Sequence, residues 1–111
     1  MKAVRIVIRS IKSYGSQVLN VSNMGAAIFN EAKDDGTPVR RMRLAAKPHE
    51  AAKLISLFES LSLESDNPAW SAEILYEDGT IKLVSSSEKG PDEITEYMRD
   101  IFPADHLWAL E

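Results

Sequence analysis

Residues 70 to 84 read WSAEILYEDGTIKLV, and this stretch decides the fold class because it has the pattern of a β-hairpin. Apolar side chains alternate along its first half, as expected of a strand with one buried face. Asp78-Gly79 is typical of the tight turn between two antiparallel strands. The alternating residues are Trp70, Ala72, Ile74 and Tyr76, and the return strand continues with Ile81, Leu83 and Ser85.

Two amphipathic helices are predicted on either side of this hairpin, at 48 to 61 and at 91 to 102. Each begins with a proline, Pro48 or Pro91, and proline is favoured at the first position of a helix. Each then carries an apolar stripe at helical spacing that has to be buried. The stripes are Ala51, Leu54, Ile55, Phe58 and Leu61 in the first helix, and Ile94, Tyr97, Met98, Ile101 and Phe102 in the second.

The chain before the first helix has the composition of several strands. β-branched residues and alternation predict strands at 3 to 13, 18 to 21 and 39 to 46. In the last of these, Met42, Leu44 and Ala46 share one face, and Arg41 and Arg43 lie on the other. Turns are predicted at Tyr14-Gly15-Ser16 and at 22 to 25.

Residues 26 to 33 fit two structures. A strand that enters a hairpin turn at Asp35-Gly36 is favoured, and the alternative is a short helix capped by Ser22 and ended by Gly36. With the strand, the sequence predicts a single α+β domain over residues 1 to 111. Its antiparallel meander is followed by a helix, a β-hairpin and a C-terminal helix, with the helices packed on one face of the sheet.

Composition limits the classes of protein to which the chain can belong. Its 111 residues are 44% hydrophobic and 27% charged, which is ordinary for a globular domain. The chain has no cysteine, so disulfides, thiolate nucleophiles and cysteine-ligated zinc are excluded. Arg5, Arg9 and Lys12 interrupt the early apolar run, which argues against a signal peptide at the N-terminus. No stretch approaches the ~20 apolar residues that are needed to cross a bilayer. We expect a cytoplasmic protein.

No motif for catalysis or for a cofactor is found. His49 and His106 lack metal-ligand spacing, and no nucleophile elbow surrounds the serines at 85 to 87. The adjacent carboxylate pairs lie in predicted turns or at a predicted helix start, where carboxylates have a structural role. The five glycines form no phosphate-binding loop. We therefore expect a non-enzyme without metal or cofactor, while a minor enzyme or an accessory subunit stays open.

Charge is distributed unevenly along the chain. Residues 1 to 53 carry ten lysines and arginines against four carboxylates, whereas residues 54 to 111 carry three against thirteen. Glu93, Glu96 and Asp100 share one helical face, and Glu73 and Glu77 share one strand face. Such clusters are candidates for contact with a basic protein partner. The predicted partner-binding residues are Asp92, Glu93, Glu96, Asp100, Glu73 and Glu77.

In size and charge the chain is similar to the small acidic immunity proteins of bacteria, although no shared motif carries this similarity. Those proteins are antitoxins that neutralise toxins, often basic nucleases, by covering the active surface. The similarity implies a toxin inhibitor that acts by occlusion through a protein–protein interaction.

The alternative hypothesis is a phage or host regulatory factor that binds nucleic acid or a nucleoprotein through the arginine-rich N-terminal half. Tyr14 is the only aromatic residue near that basic run, and the sequence pI of about 5.2 argues against a dedicated nucleic-acid binder. The residues that would form the nucleic-acid surface are Arg5, Arg9, Arg40, Arg41, Arg43 and Lys47.

The tail Leu107-Trp108-Leu110 is predicted to pack on the core, with an interface as the alternative. Trp70 is predicted to be buried, because it starts the apolar face of the hairpin. If the tail belongs to the core, deleting residues 104 to 111 removes buried apolar area and lowers the melting temperature, as measured by circular dichroism. An unchanged melting curve with lost partner binding would favour the interface.

Overall fold

The computed structural model describes residues 2–102, which form one antiparallel sheet and two helices. The elements in chain order are β1 (Ala3–Lys12), β2 (Gly15–Ser22), β3 (Ala26–Lys33), β4 (Pro38–Ala45), α1 (Pro48–Glu59), β5 (Trp70–Tyr76), β6 (Ile81–Ser86) and α2 (Asp92–Ile101). The strand order is β4-β3-β2-β1-β5-β6. The meander therefore occupies one edge of β1, and the β5–β6 hairpin pairs with its other edge. The predicted α+β fold of meander, helix, hairpin and helix is confirmed.

Both helices cover the same face of the sheet, which we call the inner face. Alternate strand residues point to this face, and Ile6, Leu19 and Phe29 are at most 1% exposed. They form one hydrophobic cluster with the buried stripes of α1 and α2. The hydroxyl of Tyr97 in α2 donates a hydrogen bond to the Glu50 carbonyl of α1 (3.3 Å), so the two helices also contact each other.

Residues 26 to 33 form a strand, as favoured from the sequence. Strand β3 pairs with β2 on one side and with β4 on the other, with Phe29 opposite both Leu19 and Met42. Ala27, Phe29 and Glu31 are buried on the inner face, which is the period of two that a strand requires. A helix over this segment would have left β4 without a neighbour in the sheet.

The turn between β1 and β2 differs from the prediction. The turn lies at Ser13 and Tyr14, and Gly15 is already the first residue of β2, which is therefore longer than the predicted strand at 18 to 21. A Cβ atom on Gly15 would lie 1.9 Å from the Ala32 carbonyl oxygen of β3. Glycine is thus required by the close approach of two strands, whereas the sequence pattern suggested a turn.

Trp70 is buried as predicted, with 1% of its surface exposed. Its indole N–H donates a hydrogen bond to the Glu88 carbonyl (2.9 Å), which satisfies the polar end of the side chain. Its ring meets Phe58 of α1 edge to face, with 6.0 Å between centroids. Trp70 therefore ties the start of the hairpin to α1 and to the loop before α2. The tail Leu107-Trp108-Leu110 lies outside the described residues.

Gly25, in the turn between β2 and β3, sets how closely this turn meets the end of β4. It has a φ of +101°, and its carbonyl accepts a hydrogen bond from the Ala46 N–H (2.9 Å). A Cβ atom on Gly25 would lie 2.0 Å from the Ala46 carbonyl oxygen. Any side chain at this position therefore forces the two segments apart.

We expect Gly25→Ala to lower the free energy of unfolding by about 3 kcal/mol, because left-handed strain and a steric clash add together. Gly36→Ala is the matched control, since Gly36 also has a positive φ (+87°) but no atom lies within 4 Å of the point that a Cβ atom would occupy. The control should lose only about 1 kcal/mol in urea unfolding. Equal losses would show that the contact with Ala46 is unimportant.

Candidate functional site: the open face of the sheet

No helix of the described part of the chain packs on the face of the sheet opposite α1 and α2, where the loop before β5 meets only the edge at Ser85. We call this face the open face. Its side chains are the strand residues that alternate with the buried ones. They include Arg5, Val7, Arg9 and Ile11 of β1, Val18 and Asn20 of β2, Ile28 and Asn30 of β3, Arg41 and Arg43 of β4, Glu73 and Leu75 of β5, and Ile81 and Leu83 of β6.

Four of the arginines predicted from the sequence share this face. Arg5 and Arg9 lie on β1, and Arg41 and Arg43 lie on β4, separated from β1 by β2 and β3. Glu73 is the one carboxylate among the open-face residues of the described strands. The face therefore carries a net positive charge, concentrated on the four strands of the meander.

The remaining residues of the predicted basic set lie elsewhere. Arg40 points to the inner side of β4, where its Nε lies 3.2 Å from the Glu31 carboxylate. Lys47 is the N-cap of α1, and its backbone N–H donates to the Glu50 carboxylate (2.8 Å). Lys12, near the end of the same strand as Arg5 and Arg9, falls in the inner register of β1 and does not extend the basic face.

Aliphatic side chains share the open face with the arginines. Val7, Val18 and Ile28 lie among the arginines, whereas Ile81 and Leu83 lie on β6, two strands beyond β1. Ile11, Ile81 and Leu83 are 61%, 60% and 53% exposed, and Val7, Val18, Ile28 and Leu75 are partly exposed beside them. A sheet face that only meets water normally carries polar residues at these alternate positions. Exposed apolar area of this kind marks a surface that contacts another molecule. The sequence alternation alone did not reveal it, because the strand order was needed to join these residues into one patch.

The predicted acidic residues do not form one surface. Asp92, Glu93, Glu96 and Asp100 are exposed along α2, which packs on the inner side of the sheet, and Asp92 pairs with Lys89 (3.4 Å). Glu73 lies on the open face, on the other side of the molecule. Glu77 follows the end of β5 and is not a strand residue. The α2 carboxylates and Glu73 thus cannot contact one partner surface together.

The candidate nucleophiles and carboxylate pairs have structural partners. The buried Ser85 hydroxyl accepts a hydrogen bond from the Ser65 N–H (3.0 Å). Asp35 and Asp78 accept hydrogen bonds from Thr37 and Thr80 in their turns, and these bonds hold the pKa of both carboxyls below the ordinary value. His49 is exposed, and His106 lies outside the described residues.

Residues 2–102 contain neither a cluster of metal ligands nor a membrane-spanning helix. No group of three or more potential ligand residues is arranged to hold a metal ion in this range. None of its helices combines the length and apolar character needed to cross a membrane.

A buried carboxylate lies at the inner side of the β2–β3–β4 region. Glu31 is 7% exposed and accepts hydrogen bonds from the Tyr14 hydroxyl (2.8 Å) and from the Gln17 amide (2.8 Å), in addition to its ion pair with Arg40. Burial, and then the hydrogen bond and charge of Glu31, raise the pKa of the Tyr14 phenol. With donors on both carboxylate oxygens, the Glu31 cluster is a structural link between strands.

Replacing this carboxylate tests that role. We expect Glu31→Gln to lower the free energy of unfolding by about 1–3 kcal/mol, because charge-assisted bonds to a buried group are lost. Glu73→Gln is the matched control on an exposed strand position and should change stability by less than about 0.5 kcal/mol. Urea unfolding monitored by tryptophan fluorescence gives both values. Similar losses for the two variants would contradict the assignment.

A scan of protein-family models finds no match to this chain, and neither do searches of curated proteins and of solved structures.

Proposed function

We propose that the protein is a non-catalytic binding protein that attaches to a protein partner through the open face of its sheet. The partner presents carboxylates and apolar side chains at the contact. The observation that carries this proposal is that arginines and exposed aliphatic residues share one face of the sheet, on which no helix of the described chain packs. The aliphatic residues supply area that is removed from water, and the arginines select acidic groups.

The kind of cation supports a protein partner. The lysines in strands, Lys12, Lys33 and Lys82, all fall in the inner register, so the positive charges of the open face are arginines. Arginine is enriched at protein interfaces, and lysine is depleted there. The described strands place no aromatic side chain on the open face, although single-stranded nucleic acids are usually held by stacking on aromatic residues.

The size of the open face also fits a protein interface. Six strands about 4.8 Å apart and about eight residues long cover roughly 600 Å². A stable protein contact buries about 800 Å² on each partner, so the face would provide most of one interface. A flat, rigid face of this size suits a protein that acts by covering its partner.

A second candidate function rests on the exposed carboxylates of α2. In this form the protein is an immunity protein that covers a basic toxin such as a nuclease with Asp92, Glu93, Glu96 and Asp100. The observation that favours it is that all four carboxylates are exposed on one short helix. The apolar residues of this helix pack in the core, so its exposed side is largely acidic. Charges of this kind mainly speed association with a partner of opposite charge.

Reciprocal charge reversals test the two surfaces. The partner is isolated from cells that produce the tagged protein, after cross-linking, and its binding rates are measured by biolayer interferometry. We expect Arg9→Glu with Arg41→Glu to weaken binding at least tenfold, since attraction becomes repulsion at two exposed positions. Glu93→Lys with Glu96→Lys, a control with a charge change of the same size, should fold normally and bind with unchanged rates.

If the α2 variant loses binding and the arginine variant does not, the second candidate function replaces the proposal. Loss of binding in the α2 variant alone, through a slower and salt-dependent on-rate, would favour the basic partner of the second candidate. Fluorescence anisotropy with labelled DNA and RNA checks the nucleic-acid alternative, and we expect no binding. An affinity for nucleic acid that falls steeply with added salt and is lost in the double arginine variant would show a phosphate-binding surface instead.

A further inference from the structure

The open face contains a shallow depression between two of its arginines. The depression has a volume of about 290 Å³. The residues that line it include Arg5, Asn20, Ser22, Ala26, Ile28 and Arg43. Arg5 lies opposite Ser22, and Arg43 lies opposite Ile28, so both arginines flank the same part of the β2–β3 pair.

Small side chains create this depression. Ala26 is the first residue of β3 and lies opposite Ala45 of β4. Ser22 is the last residue of the neighbouring strand β2. The open face is therefore lower here than at Val18, whose branched side chain stands above the sheet. A ligand group can approach the strands closely at this position, which distinguishes it from the surroundings of Arg9 and Arg41.

Arg5 is oriented before any ligand arrives. Its guanidinium donates a hydrogen bond to the Asn20 side-chain carbonyl, which limits the rotamers available to this long side chain. A guanidinium group has five N–H donors in a fixed plane, so the bond to Asn20 leaves others for a ligand. The lining residues include no carboxylate, and the open-face Glu73 lies on β5, beyond β1.

We propose that this depression is the anchor site for a carboxylate from an acidic side chain of the protein partner. The carboxylate binds between the Arg5 and Arg43 guanidinium groups, which match its planar, two-oxygen geometry. The adjacent Ile28 contacts the methylene groups of the same side chain. The inference rests on the proposed function and adds to it the residue type that the partner inserts.

A peptide titration tests the anchor site with a defined probe. The probe is a blocked tetrapeptide with two glutamates, and the same peptide with glutamines is the control probe. Binding is followed by ¹H–¹⁵N NMR. We expect the glutamate peptide alone to shift the backbone amide signals of Ser22, Ala26 and Arg43.

Three variants separate this site from general attraction by a positive face. Arg43→Ala should raise the Kd for the peptide about tenfold, because a bidentate charge-assisted contact is lost. Arg41→Ala, on the same strand and face but outside the depression, should raise it less than threefold. Ala26→Leu fills the depression without changing the charge and should also raise the Kd about tenfold. Unchanged melting temperatures establish that each variant is folded.

Equal effects of Arg41→Ala and Arg43→Ala, or an unaffected Ala26→Leu variant, would overturn the anchor site. If the peptide fails to bind while the Arg9 and Arg41 reversals still abolish binding of the isolated partner, the anchor site is wrong and the proposed function stands. If a short oligonucleotide binds through the same residues and the peptide does not, the site holds phosphate and the carboxylate assignment is wrong.

Discussion

Side chains alternate between the two faces of a β-strand, and the two helices of this protein cover only one face of its six-stranded sheet. Every strand must therefore provide apolar residues on the inner face, while no helix of residues 2–102 covers the other face. The inner face holds the large side chains Trp70 and Phe29, and Phe58 of α1 packs against Trp70. Burial of the core determines which residues the inner face needs, but it does not determine the residues of the open face. The mixture of arginines and aliphatic residues on the open face therefore needs another explanation.

The sequence predicts the secondary structure well because its periods are clear. The alternation after Trp70, the turn at Asp78-Gly79 and the helix start at Pro48 lie where the pattern indicates, whereas Pro91 is the N-cap of α2, which begins one residue later at Asp92. The prediction that Gly15 lies in a turn was wrong, because glycine occurs both in turns and where two strands approach closely. The required contact with Ala32 involves a residue seventeen positions away, which no local pattern can reveal.

The candidate surface was only partly predictable, since it depends on strand order. Periodicity places Arg41 and Arg43 on one face of their strand, and the structure joins them with Arg5 and Arg9 through β2 and β3. Glu73 was grouped with the α2 carboxylates because both belong to the acidic half of the chain. The hairpin pairs with β1, however, and its alternation turns Glu73 to the open face. The charge difference along the chain therefore maps only in part onto the two sides of the molecule, because Glu73 joins the arginines on the open face while Arg40, Lys12 and Lys33 lie in the inner register.

The composition of strand β4 also bears on how the protein behaves at high concentration. It is an edge strand with an exposed backbone, and such an edge can recruit a strand from another molecule and start a fibril. β4 begins with Pro38, which has no N–H to donate, and it carries Arg40, Arg41 and Arg43. Two molecules that met along this edge would bring arginines against arginines, which is unfavourable across paired strands. The same strand that supplies charges to the open face therefore protects this side of the sheet against edge-to-edge aggregation.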